Sequence, residues 1–271
     1  MEDYLYDSPP LIEVIAEIRW SFVPLASIPD GGVDPHFDKF QAAFTENAAK
    51  KDYSHIDVIV PTEIPKEFFA GKPVLRVRRG SDKWPLLQIG PGLLTVNLVP
   101  PYQGWAEFKR ELHEALELLF LSYPDSNITL KMDRIHLRYL DAFTTNHGLG
   151  KYFGRFVHDG LRVGVNVPKE MADHVEGDLI DSISTSAQLT FSVKDMENTS
   201  GEIKFSPGTK GQDKERALIS EFQIVKSLQN KIVSAREIES WFDEAHLRLR
   251  DWFEVMISDT TRRAFGARKN L

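Results

Sequence analysis

Cysteine is absent from the 271 residues. Its absence removes disulfides, thiolate zinc sites, iron–sulfur ligation and cysteine nucleophiles together. Long apolar runs are missing too. The stretch 116–121 is broken by Glu117 and falls far short of a bilayer's thickness. The acidic opening Met1-Glu2-Asp3 has no basic segment leading into an apolar one, so a cytoplasmic chain without a membrane anchor is expected. Positive charge is in deficit, with 33 Lys and Arg against 40 Asp and Glu and a net charge of −7. No overall field then draws the chain to nucleic acid or an anionic membrane, and nucleic acid is a disfavoured partner.

Familiar chemical signatures are also lacking. There is no phosphate-binding Walker loop, no G-x-G-x-x-G, no H-E-x-x-H, no G-x-S-x-G and no EF-hand loop. Gly90-Pro91-Gly92 has no helix N-terminus behind it and reads as a hairpin turn. The eight histidines show no helical or strand spacing that would set two on one metal, so neither a metal nor a cofactor is expected.

What remains is material for a core, with 42% hydrophobic and 27% charged residues. Ile12, Val14, Ala16, Ile18 and Trp20 alternate with mostly polar neighbours, which predicts a strand with one buried face over residues 11–20. Asp34-Pro35 opens a short helix carrying Phe37, Phe40, Ala43 and Phe44. A connection with one short strand near 56–60 leads to a three-strand meander over 73–79, 85–90 and 93–99. Residues 104–123 place Trp105, Phe108, Leu112, Ala115, Leu116, Leu119 and Phe120 on one helical stripe.

The same order then restarts. A strand in 130–143, a weaker helix around 151–159, and strands at 188–193, 202–205 and 218–225 precede a final helix. That helix opens on Ser234-Ala235-Arg236-Glu237, a capping box. Ile238, Trp241, Phe242, Ala245, Leu249, Trp252, Phe253 and Met256 line one face, and the helix is expected to run to about residue 262. Glu17-Ile18-Arg19-Trp20 aligns with His136-Leu137-Arg138-Tyr139, and Trp105 with Trp241. The expected fold is α+β: two pseudo-repeated β-α-β-β-β-α units, 1–126 and 127–271, forming one curved antiparallel sheet with long helices on one face. That arrangement looks like the TATA-binding-protein-like folds, and it implies no DNA binding.

Four segments carry a family resemblance. They are Pro9-Pro10-Leu11-Ile12-Glu13-Val14-Ile15-Ala16-Glu17-Ile18-Arg19; Thr95-Val96-Asn97 with Tyr102 and Trp105; Arg134-Ile135-His136-Leu137-Arg138-Tyr139; and Thr260-Thr261-Arg262-Arg263-Ala264-Phe265-Gly266. In this order they resemble a sporadically distributed family of uncharacterised prokaryotic proteins, over nearly the whole chain. The resemblance implies no activity and no catalytic residues. Its patchy distribution implies an accessory setting such as defence or toxin–antitoxin loci.

Strand parity supplies the site expectation. The face opposite Ile18 and Trp20 carries Glu13, Ile15, Glu17 and Arg19, and the face opposite Ile135, Leu137 and Tyr139 carries Arg134, His136 and Arg138. If the two strands are neighbours, Arg19, Arg134, His136 and Arg138 converge with Glu17 as an anion site on the sheet face away from the helices. The alternative is a solvated face decorated with cross-strand ion pairs. Arg262, Arg263, Arg268 and Lys269 form a basic tail that complements a helix C-terminus, with nucleic acid or an acidic partner as the alternative. Two functions follow. One is a non-enzymatic protein that engages a protein partner or a second copy of itself; the other is an enzyme or sensor for a phosphorylated small molecule or nucleotide on the open sheet face.

Overall fold

A computed structural model describes the chain apart from residues 1–3, 30, 62, 102–103, 165–167, 169, 171–172, 176, 183–185 and 270–271. Tyr102 of the second resemblance segment therefore lies outside the described residues, as does the side chain of Lys269. Nine strands form one antiparallel sheet: β1 (Leu11–Trp20), β2 (His55–Val58), β3 (Leu75–Arg78), β4 (Leu86–Gly90), β5 (Leu93–Leu98), β6 (Met132–Phe143), β7 (Ala187–Ser192), β8 (Thr199–Lys210) and β9 (Glu215–Lys231). Their order is β7-β8-β9-β6-β1-β5-β4-β3-β2. The sheet is open and not curled, so the expected curvature is corrected.

Residues 1–126 supply β1 to β5 and residues 127–271 supply β6 to β9, and the two first strands are neighbours at the centre. Outward from that pair each side runs backwards through its own stretch, from β5 to β2 and from β9 to β7. Alternation built this centre. Val14, Ala16, Ile18 and Trp20 are buried, while Ile15, Glu17 and Arg19 are half-buried on the other face.

Three long helices cover the inner face: α1 (Phe37–Ala49), α2 (Trp105–Ser122) and α3 (Ala235–Met256). Phe40 of α1 meets Trp20 edge to face, and α2 packs on β5 as α3 packs on β6 and β9. α1 buries Phe37, Phe40, Phe44 and Ala48, so Ala48 takes the inward place expected of Ala43. α2 and α3 run antiparallel, tied by Trp105 to Asp243 (2.8 Å), Lys109 to Asp243 (2.6 Å) and His113 to Glu239 (2.6 Å). The Ser234–Glu237 capping box starts α3 as expected.

Four further expectations need correction. α3 stops at Met256, and Ser258 caps a separate helix α4 (Asp259–Ala264). β8 and β9 make a hairpin much longer than read, because Pro207 sits inside β8 opposite Leu218 instead of opening a loop. The helix expected around 151–159 is a single short turn, Phe153–Arg155, followed by a π-helical turn, Phe156–Gly160. In α2, Glu111 is buried beneath Arg79 and Tyr53 although the sequence placed it on the polar face.

Candidate functional site

The open face of the sheet brings the expected residues together. In the β1–β6 ladder Glu17 sits opposite His136, Arg19 opposite Arg134, and Ile15 opposite Arg138. Each cation, however, has its own acid. Arg19 Nε donates to Glu17 Oε1 at 2.5 Å, Arg134 Nε to Asp133 at 2.9 Å, and Arg138 Nε stands 3.6 Å from Glu221. His136 Nε2 meets Gln223 Oε1 at 2.6 Å while its Nδ1 lies 3.9 Å from Glu17.

The rest of the face extends these contacts sideways. Gln223 donates to Glu202, which holds Lys204 and Gln188, so hydrogen bonds cross from β6 through β9 and β8 to β7. In the other direction Asn97 donates to Glu13 (2.7 Å) and accepts from Thr95 (2.7 Å) and Gln88 (3.3 Å). Burial alone would raise the Glu17 carboxyl, but the nearby His136 imidazole and the hydrogen bond and charge of Arg19 outweigh it and bring the pKa down to about 2. His136, Thr95, Asn97 and Gln223 are buried rather than solvated, because neighbouring side chains on this face close over one another. Each arginine of the expected anion site thus has a carboxylate within 4 Å, although the buried Arg138 Nε makes no hydrogen bond.

Arg19 and Arg134 also line a cleft of about 640 Å³ at the end of β1 and β6, with Asp133, Asn230, Phe22 and Gly71. Gly71 has φ of +69°, and its carbonyl accepts from Arg19 Nη1 at 2.9 Å. The positive φ favours glycine there, and a Cβ would stand 2.7 Å from that nitrogen and push the guanidinium end aside.

A second site lies on the other side of the sheet and was not read from the sequence. A cavity of about 190 Å³ opens between α3 and strands β1, β6 and β9. Pro9, Pro10, Leu11, Phe222, Leu249 and Phe253 give it an apolar wall. Leu11 reaches it through a β-bulge: Leu11 pairs with Asp141 but Glu13 with Leu140, so Ile12 is the extra residue.

At the base is Asp141, only 4% exposed. Its carboxylate accepts from Ser220 Oγ at 3.3 Å. Burial pushes its pKa up to about 7, and the Ser220 hydroxyl offsets little of that. Tyr139 and His246 form one wall, hydroxyl to Nδ1 at 2.8 Å. Glu254 Oε1 accepts from Tyr6 at 2.6 Å and its other oxygen is held by Arg262 of α4, while Arg250 stands 3.5 Å from Asp251. Arg262 thus belongs to this wall instead of a free basic tail, and Arg268 pairs with Asp7.

While Glu17, Arg19, Thr95, Asn97, His136 and Arg138 of the resemblance segments face the other side of the sheet, individual residues from all four segments come near this cavity. Pro9, Pro10 and Leu11 form its rim, Tyr139 its wall, Trp105 stacks on His246, and Arg262 and Phe265 hold Glu254 and Tyr6 from behind. Among the described residues no group of three or more His, Asp or Glu is placed to hold a metal ion, and no helix is long and apolar enough to cross a membrane.

No protein-family model and no curated protein matches the sequence. Among solved structures the chain is similar to DynU16, from the dynemicin biosynthetic locus, at 14% identity over 91% of this chain and 99% of that one. The TM-score is 0.23, too low to carry any argument about fold or function.

Proposed function

We propose that the chain is a binding protein that holds a small, largely apolar ligand of about one ring's size in the cavity beneath α3. The observation that carries this reading is a buried carboxyl, Asp141, set at the base of an apolar recess with Ser220 as its hydrogen-bond donor. Recesses of this kind, apolar with a few converging polar groups and one shifted pKa, are where ligands bind. An apolar cavity of roughly 150 Å³ accepts benzene, so about 190 Å³ suits a single substituted ring.

Titration of ¹⁵N-labelled protein with one-ring compounds tests it. Amide shifts should cluster at residues 9–11, 139–141 and 246–254, and Leu11→Trp, which fills the rim, should abolish them. Shifts scattered over the surface, or retained in Leu11→Trp, would refute it.

The mirrored strand order supports the further reading that the chain is a duplicated unit of TATA-binding-protein-like layout. It departs from strict repetition in two places. β2 adds a strand to the first copy, and the described residues between β6 and β7 hold no helix to match α1.

A protein partner, the other expectation, is favoured by the sheet edges. Ile56 and Val58 of β2 and Leu189 and Phe191 of β7 are exposed apolar side chains on strands with one unpaired side. Light scattering decides between self-association and a monomer, and Val58→Lys should dissociate any dimer formed through β2.

A further inference from the structure

We infer that the ligand of the α3 cavity carries a cationic nitrogen, an ammonium or amidinium on an apolar body, which pairs with the Asp141 carboxylate. The inference rests on the reading of the cavity as a ligand site and adds the chemistry of the ligand's head.

The charged groups around the recess are unequal in their commitments. Glu254, from α3, is occupied by Tyr6 and Arg262. Arg250, also from α3, faces Asp251. From β6, Tyr139 is engaged with His246 of α3. Asp141 is different: it is buried, it lines the recess, and its hydrogen-bond donor is a neutral hydroxyl from β9 at the long distance of 3.3 Å. A carboxylate so placed lacks the cation or the two or three amide donors that usually compensate a buried charge. An incoming N–H⁺ supplies that compensation. An anionic head would instead meet Asp141 and Glu254, with Arg250 and Arg262 already facing acids.

The apolar wall of Leu11, Leu249, Phe222 and Phe253 fits the other end of such a molecule. The raised pKa of Asp141 agrees with this, because a carboxyl waiting for its cation is held partly protonated until the cation arrives. Binding of a cation then releases a proton from Asp141 and strengthens as pH rises from 6 to 8.

The test is isothermal titration of the full chain with three one-ring probes of similar size: benzylamine, benzyl alcohol and benzoate. Benzylamine should bind roughly 10-fold or more tightly than benzyl alcohol, as a charge-assisted hydrogen bond replaces a neutral one, and benzoate least tightly. Asp141→Asn, close in shape and checked for folding by its melting curve, should remove the preference for the amine over the alcohol. Equal binding of amine and alcohol, or a preference for benzoate, overturns the inference while the cavity reading stands. No binding of any probe overturns both. The three wild-type titrations decide the matter even if Asp141→Asn does not fold.

Discussion

The indole of Trp105 lies flat on the imidazole of His246, with centroids 4.3 Å apart and planes 1° from parallel. Trp105 opens α2, His246 lines the cavity from α3, and the Tyr139 hydroxyl meets Nδ1 at the edge of the same imidazole. The imidazole is therefore fixed by an element outside the cavity. Trp105→Ala should cost about 2 kcal/mol or more in urea unfolding, through lost packing of a large aromatic and the loss of its bond to Asp243. It should also weaken binding of any cavity probe, whereas Lys109→Ala, which removes the exposed neighbour contact to Asp243, should leave probe binding intact.

Asp141 makes stability depend on pH in a sense unusual for a carboxylate. Its folded pKa of about 7 lies above the ordinary 3.8, so the folded state holds the proton more tightly than the unfolded state. Stability is fully present below the unfolded pKa and is lost as pH rises through the folded one, by an amount on the order of a few kcal/mol. Asp141→Asn should remove that decline, so the variant should be the more stable protein at pH 8 and gain little at pH 4. Urea midpoints at the two pH values check this.

Glu17 works in the opposite direction. Its pKa of about 2 lies below 4.5, so its stabilisation is present above pH 4.5 and lost as pH falls toward 2. Glu17→Ala leaves the part-buried Arg19 guanidinium without its carboxylate and should cost about 3 kcal/mol at pH 7. Arg134 has a half-exposed side chain paired with its neighbour Asp133, so Arg134→Ala should stay within about 0.5 kcal/mol. Comparable losses from the two variants would contradict the network described for the open face.

Leu116 sits fully buried on the face of α2 that meets the sheet. Leu116→Ala should lower unfolding stability by about 2–5 kcal/mol, combining lost transfer energy with the cavity left behind. Denaturant titration measures it, and a change within error would place the wrong face of α2 inward.

Strand parity in the central pair was legible because both strands bury one face and solvate the other only in part. Val14, Ala16 and Ile18 against Glu17 and Arg19 left one register to choose. Helical stripes around Phe108 and Trp241 were legible for the same reason. The pairing of each arginine with an acid was not, since Glu221 and Asp133 are assigned only once β9 lies beside β6 and a rotamer is chosen. The cavity did leave a trace: following the inward parity Ile135, Leu137, Tyr139 two residues further puts Asp141 in the core, a carboxylate where an apolar residue belongs. His246 left none, because its meaning depends on Trp105 and Tyr139 arriving from two other elements.

Crystals of the chain soaked at pH 8 with a panel of one-ring compounds test the ligand-cavity claim most directly. Density should fill the recess between Leu11, Phe222, Leu249 and Phe253, with a polar ligand atom about 3 Å from an Asp141 carboxylate oxygen. A recess that stays empty at saturating concentration, or compounds seated only on the outer sheet face near Arg19 and Arg134, would contradict the account.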